Sequence, residues 1–521
     1  MSDHNPLFPR ASGILLHPTS LPGRCGVGNL GAPARRFVDW LADAGQSWWQ
    51  VLPLGPTTWG DSPYQTLSAF AGNPLLIDPD PFVADGWLTP DDLGASPPFP
   101  VDHVDFGRVQ PFVNDLLDRA CDRFQVLATA AQRAEHDAWV RAQAPWLKDW
   151  ALYAALKEAQ DGRPWHAWPA PLARRDPAAL TAARATHAAL VTRHVFRQWT
   201  FHRQWAALRA YARSRGVSLL GDVPIFVAHD SADVWAHREL FQLDDAGQPT
   251  VVAGVPPDYF SRTGQRWGNP LYRWDALRAR GYDWWIARFR QALALVDAVR
   301  IDHFRGFAAN WEIPAAEPTA MKGRWVPGPG ADLFHAVRAA LGALPIVAED
   351  LGVITPDVEA LRDDLDLPGM KVLQFAWSDP RNPFLPHAHV PNAVVYSGTH
   401  DNNTTVGWWC DETDARTRAF LANYLGRTLA EIDREPHWTL LRLGMMSPAH
   451  TFIATLQDIL GLGPEARLNT PASADGNWSW RARPEQFDDP AVRRLADWTR
   501  LYRRRADQQT PHDDDAQEHP A

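Results

Sequence analysis

Cysteine is scarce in this chain. Three residues, Cys25, Cys121 and Cys410, are spread over 521 positions. Their odd number and wide spacing suggest neither a disulfide framework nor a Cys-x-x-Cys metal site. A reducing cytoplasm fits this usage. Basic residues are outnumbered too. The net charge of −10 argues against a nucleic-acid surface and against an anionic membrane partner. No stretch approaches the roughly 18 apolar residues that a membrane span needs. Residues 1–10 lack the basic start and apolar run of a secretory signal. No internal repeat is present. Tyrosine is rare, with 9 copies against 26 tryptophans, so the aromatic content is unusually weighted to indole.

What is present is ordinary for a folded chain: 45% hydrophobic and 21% charged residues. Flat indole rings suit sugar faces, but aromatic rings carry core area in any protein, and most of these tryptophans read as core. Eight short apolar runs stand out. They cover residues 13–17 (GILLH), 48–54 (WWQVLPL), 218–226 (SLLGDVPIF) and 298–304 (AVRIDHF). The other four are 345–352 (PIVAEDLG), 370–377 (MKVLQFAW), 393–401 (AVVYSGTHD) and 451–460. Each is too continuously apolar to be half exposed, which reads as a parallel strand buried on both faces. Helical patterns lie between them. Trp285, Ile286, Phe289, Leu293 and Val296 recur at spacings of three and four, and Thr355-Pro356 reads as a helix cap and first turn. Strand and helix alternating eight times predicts an α/β fold, a (β/α)8 TIM barrel, with an open doubly wound sheet as the alternative.

The gap between the second and third runs is far longer than the roughly 30 residues of one βαβ unit. Residues 79–205 therefore read as an inserted, mostly helical subdomain, with the barrel made of 11–78 and 206–505. Residues 234–274 read as a smaller insertion carrying a lid loop. No separate C-terminal β-domain is expected. The acidic, polar tail 506–521 is expected to be disordered.

Barrels of this type do their chemistry where strands end. The last polar residues of four runs are Asp222, Asp302, Glu349 and Asp401. Singly, each could be a helix cap or a solvated loop acid. Together, carboxylates at equivalent strand ends fit glycoside cleavage, in which one attacks the anomeric carbon and another protonates the departing oxygen. A retaining pair lies roughly 5–5.5 Å apart, with pKa values pushed in opposite directions. Arg300 and Asp302 are two apart on one strand, so their side chains share a face. A guanidinium beside it favours the ionised carboxylate, so Asp302 reads as the nucleophile. Glu349 follows an apolar stretch and has the longer side chain, so it reads as the acid and then the base.

RIDHFRG (300–306), AEDLG (348–352) and GTHDN (398–402), in that order, resemble the nucleophile, acid/base and third-carboxylate segments of the amylomaltases, within the α-amylase clan. Residues 60–78, 221–235, 254–272 and 466–471 (ARLNTP) fit the same family, and the resemblance spans about 11 to 505. It implies Asp302, Glu349 and Asp401 as catalytic residues. It implies that Arg300 and His400 contact the sugar at the cleavage point, that Tyr64 stacks on it, and that Asp222 and Ser62 line the same region. Tyr259 and Phe260 would sit on a loop over the groove, beside Gln265 and Trp267, and Asn469 would face the acceptor. Trp59 stands where many relatives carry tyrosine at a second glucan site, which keeps an aromatic platform without its hydroxyl.

The implied activity is 4-α-glucanotransferase: α-1,4-glucan segments pass to the 4-hydroxyl of another glucan or of glucose. The carboxylates alone do not separate transfer from hydrolysis. Transfer is implied by the YFSRTGQRW loop, which could shield the intermediate from water. A retaining α-glucan hydrolase and an inactive glucan-binding protein are the other readings, and the second should lack one of the three acids. No cofactor or metal is expected. A metal-dependent barrel would want His-x-His after the first strand, where LLHPTS offers only His17. The single His-x-His, His387 and His389, precedes the seventh run, so it reads as a surface loop on the opposite face. A phosphate-handling barrel would want glycines where THDNN stands.

Overall fold

Each of the eight apolar runs holds one strand, and four further strands lie between them. The computed structural model describes residues 8–257, 261–471, 473, 475–488 and 490–505. The strands in chain order are β1 (Ala11–Leu15), β2 (Trp48–Gln50), β3 (Ser218–Pro224), β4 (Val251–Val255), β5 (Gln265–Pro270) and β6 (Ala298–Asp302). They continue as β7 (Ala309–Pro314), β8 (Arg324–Pro327), β9 (Ile346–Ala348), β10 (Gly369–Val372), β11 (Ala393–Tyr396) and β12 (Thr451–Thr455).

Eight of these pair in parallel in the order β10-β11-β12-β1-β2-β3-β6-β9. The ring closes where Ala348 N–H donates to Pro368 O at 2.9 Å, joining the end of β9 to the residue before β10. The result is a (β/α)8 barrel, and its strands are almost wholly buried, as continuous apolar runs require. Among the described residues no strand follows β12. Helices Ala32–Asp43, Ala188–Ser214, Asp283–Leu295, Ala331–Leu341, Pro356–Asp364, Pro436–Met446 and Ala491–Leu501 surround it. Between β10 and β11 only short 3-10 turns replace a helix. The Pro356–Asp364 helix starts where Thr355-Pro356 predicts, but the threonine side chain makes no capping bond; proline at the first position does the work.

Between β2 and β3 the chain runs through long helices, Phe106–Leu127, Ala130–Ala159 and Ala188–Ser214. Asp105 caps the first, and Thr129 with Gln132 forms a capping box on the second. Trp87, Phe124, Phe196 and Trp199 pack together between them, with Trp87 edge-on to Phe124 at 5.0 Å. Two glutamines tie the last helix to the loop after β2. Gln198 accepts from Gly72 N–H and donates to Gly72 O, at 2.7 and 2.8 Å; Gln204 does the same to Asp78, at 2.7 and 2.8 Å. A Cβ at Gly72 would lie 2.0 Å from the Phe201 ring, so only glycine permits this approach. Asp230 adds a second tie: it accepts from Tyr153 Oη at 2.7 Å, Lys157 Nζ at 2.5 Å and Trp165 N–H at 3.2 Å.

A second sheet, antiparallel and ordered β5-β4-β7-β8, stands beside the barrel mouth. It is built from the connections after β3 and after β6, and the apolar runs did not announce it. The His-x-His pair is half what its sequence suggests, with His387 exposed in a loop. It precedes β11, but His389 is buried, bonded to Ser447 Oγ and Phe384 O, each at 2.8 Å. There a neutral imidazole has a partner on each nitrogen, while His387 and Ala388 stay exposed. Most tryptophans are core, Trp49, Trp87, Trp165, Trp199, Trp205, Trp235 and Trp285 completely. Residues 506–521 lie outside the described residues. Among the described residues no helix is long and apolar enough to cross a membrane.

The segment after the last helix closes the barrel floor. Arg504 is fully buried and donates to the carbonyls of Ala11, Gly444, Met445, Ser447, Ala449 and His450 at 2.9–3.1 Å. These carbonyls bracket the seam between β1 and β12. Arg504→Met is expected to destabilise the fold by about 3 kcal/mol, because bonds to a charged donor are lost and buried acceptors are left unmade. A melting curve identical to that of the unsubstituted protein would contradict this.

Candidate active site

β3 and β6 are neighbours in a register that sets Asp222 opposite Arg300 and Pro224 opposite Asp302. Arg300 points into the barrel, where it is almost completely buried. It donates through Nη1 to Asp222 Oδ2 at 2.6 Å and through Nη2 to Asp302 Oδ1 at 3.0 Å. The alternation of a strand sends Arg300 and Asp302 to the same side, as expected. Asp302 remains 31% exposed, so its carboxylate reaches the groove.

β9 lies on the other side of β6, with Ile301 opposite Ala348. The next step of that register brings Glu349 beside Asp302, and neighbouring strands run about 4.8 Å apart. Glu349 is half-buried. Its Oε2 accepts the His303 N–H at 2.6 Å and its Oε1 the Leu351 N–H at 2.9 Å. Burial pushes its pKa up to about 7, against Arg300, which favours the charged form, and with Asp302, which opposes it. His303 holds a left-handed backbone, φ 55°, to aim that N–H. For a side chain with a Cβ this conformation costs on the order of 1–2 kcal/mol.

The third acid follows β11. Asp401 is 46% exposed in its side chain, with His400 Nε2 3.3 Å from Oδ2 and Asn469 Nδ2 donating to Oδ1 at 2.7 Å. Partial burial would raise its pKa, but His400 and Asn469 hold it well below the usual carboxylate range. Tyr64 joins the two halves of the mouth. Its hydroxyl donates to Asp222 Oδ2 at 2.8 Å, and its ring stacks on His400 at 5.0 Å. Burial pushes Asp222 up to about 6 while Arg300 pulls it down.

Asp302, Asp401, Arg300, His400, Tyr64, Asp222 and Asn469 thus stand in one connected set of contacts, and Glu349 stands beside it at the end of the next strand. Ser62 is turned back on its own loop, its Oγ accepting the Tyr64 N–H at 3.3 Å. Gln265 and Trp267 sit on β5 of the second sheet. Trp267 Nε1 donates to Gln265 Oε1 at 3.1 Å, and its ring meets His303 edge-on at 4.8 Å. Tyr259, Phe260 and the side chain of Trp59 lie outside the described residues. Asn469, expected on the acceptor side, bonds its amide to Asp401 itself.

Two neighbours carry no signal in the sequence. Trp478 packs 5.9 Å from both Tyr64 and His400, and Arg467 donates to Asp401 O at 2.9 Å and Asn469 O at 2.8 Å while pairing with Glu412 at 3.1 Å. Arg467 stands in ARLNTP, where only its neighbour Asn469 was singled out. Among the described residues no cluster of histidine, cysteine or acidic side chains could hold a metal ion.

A family model described as 4-alpha-glucanotransferase matches residues 16–486. The chain is 53% identical to the 4-alpha-glucanotransferase of Thermus thermophilus over 494 residues, covering 94% of this chain and 98% of that one. It is 50% identical to the Synechocystis sp. 4-alpha-glucanotransferase over 500 residues, covering 95% and 98%. The solved amylomaltase of Streptococcus agalactiae in complex with acarbose superposes with a TM-score of 0.91 at 37% identity, covering 95% of this chain and 99% of that one.

The raised Glu349 is directly measurable. A carboxyl carbon titration by NMR is expected to place its midpoint near 7. A midpoint near the ordinary glutamate value would remove the argument from burial.

Proposed function

The chain belongs to the 4-alpha-glucanotransferase family, and from its strand-end carboxylates we propose a retaining double displacement on α-1,4-glucans. The observation that carries this is the Asp302–Glu349 pair: adjacent strand ends, one acid held by a guanidinium and the other raised towards neutrality. Their places on paired strands, one step beyond Ile301 opposite Ala348, put both acids at the same end of the barrel, as a retaining pair needs.

In the first half-reaction Asp302 Oδ attacks the anomeric carbon. The glycosidic bond breaks, and its oxygen leaves with the proton of Glu349. A glycosyl ester on Asp302 results, with Glu349 ionised. In the second half-reaction Glu349 takes the proton from the 4-hydroxyl of an acceptor glucan or glucose. That oxygen attacks the same carbon, and Asp302 departs as carboxylate. Asp401 and His400 hold hydroxyls of the reacting sugar, and Tyr64 supplies the face it lies on. Arg300 fixes the direction of Asp302, Asp222 and Ser62 line the same subsite, and Asn469 keeps Asp401 in place. The family resemblance assigns Tyr259 and Phe260 to a loop over the groove, beside Gln265 and Trp267, and Trp59 to a second glucan site. Resolution by a sugar in preference to water follows from shielding of the intermediate. A reducing cytoplasm belongs to the same proposal, supported by three unpaired cysteines, two of them buried.

Incubation with maltotriose is expected to give both longer and shorter oligomers at constant total reducing ends. Rising reducing ends without longer products would mean a hydrolase. Asp302→Ala is expected to abolish turnover while glucan binding persists; retained turnover would take Asp302 out of the nucleophile's role. Glu349 must be protonated for the first step, so kcat/KM should fall as pH rises through about 7. Glu349→Gln should lower activity by about 10²–10⁴-fold and flatten that limb. A limb that stays in place in this variant would assign it to another group.

A further inference from the structure

The turn after Asp302 touches more than the carboxylates. His303 and Arg305 project from it, and each makes two contacts in different directions. His303 gives its N–H to Glu349 and sets its ring against Trp267 of β5. Arg305 donates through Nη1 to Val353 O, four residues beyond Glu349, and lays its guanidinium 3.9 Å over the ring of Trp325 on β8. One short turn therefore bridges the nucleophile strand, the loop of the acid/base and both edge strands of the second sheet.

Arg305 is the unexplained member. It is buried, with 7% of its surface exposed, yet among the described residues it forms no ion pair within 4 Å. Asp357, at the start of the Pro356–Asp364 helix, is the acid whose charge it feels. A buried guanidinium without a carboxylate is costly unless its geometry serves something. Trp325, 39% exposed at the sheet edge, is held between this cation and Trp311, edge-on at 5.2 Å. β8 pairs with β7, and β7 with β4, whose partner β5 carries Gln265 and Trp267.

We propose that Arg305 is a positioning residue that locks the second sheet to the Asp302–Glu349 pair, through Trp325 and Val353 O, and so keeps water from the glycosyl-enzyme. It does not touch the sugar. Loss of the lock frees β8, and with it one edge of the sheet that carries Gln265 and Trp267, and the intermediate is then taken by water in place of an acceptor hydroxyl. This rests on the transferase reading of the site.

The readout is the ratio of hydrolysis to transfer with maltotriose, from new reducing ends against longer oligomers. That ratio does not depend on how much of the protein is folded, so lost stability alone leaves it unchanged. Arg305→Met and Trp325→Leu are each expected to raise it about fivefold or more, through weaker exclusion of water. Trp325→Phe keeps a ring under the cation and should stay near the original ratio. Ratios within about twofold of the original in both Arg305→Met and Trp325→Leu would overturn the proposal. If Arg305→Met fails to fold, Trp325→Leu, at a part-exposed position, decides alone. Failure of the transferase reading is told apart because the unsubstituted protein would then make no longer oligomers at all.

Discussion

A guanidinium in the interior of a closed barrel must be surrounded by acceptors, because an isolated buried charge costs far more than the fold can spare. Arg300 meets that demand with two carboxylates, Asp222 on the neighbouring strand and Asp302 on its own. Removing one partner from such a pair typically costs about 3–5 kcal/mol, so the three residues behave as a unit. The arrangement around the mouth descends from it. Asp222 accepts from Tyr64, Tyr64 stacks on His400, His400 faces Asp401, and Asp401 is held by Asn469 and Arg467. A chain of contacts thus runs from β6 round to the loops after β11 and β12, and each member orients the next.

The same mouth pushes its acids apart. Asp401 is stabilised as a carboxylate by donors, whereas Glu349 is raised by burial. Opposed environments for neighbouring acids separate a proton donor from groups that must stay charged. The raised pKa has a cost in stability. The folded value lies above the ordinary one of 4.5, so Glu349 favours the folded state fully below its unfolded pKa. That contribution is lost as pH rises through about 7. Two backbone N–H groups, one from the strained His303 turn, limit this penalty by favouring the ionised form.

The second sheet stands beside the mouth and meets the barrel at the turn after Asp302, through His303 and Arg305, and after β3, where Asn269 donates to Val227 O. Strain at His303 and burial of Arg305 are local expenses, and both serve to connect the sheet to the reacting acids. The helical region between β2 and β3 anchors another part of the mouth. Gln198 and Gln204 clamp the backbone just beyond Tyr64, so the loop that presents Tyr64 is anchored to a long helix.

Much of this was legible in the residues alone. Parallel strands must be apolar on both faces, so eight continuous runs announced eight barrel strands. Chemistry gathers where such strands end, so Asp222, Asp302, Glu349 and Asp401 could be named from local pattern. The β-strand repeat of two put Arg300 and Asp302 on one side. The second sheet was not legible, because its strands are part-exposed and, β4 apart, carry no continuous apolar run. Nor was the burial of His389, the packing of Trp478 on Tyr64, or the bond that turns Asn469 onto Asp401. These depend on which surfaces meet once the barrel closes. Local patterning is written in neighbouring residues and survives in the sequence, whereas contacts across the mouth exist only after distant segments have been brought together.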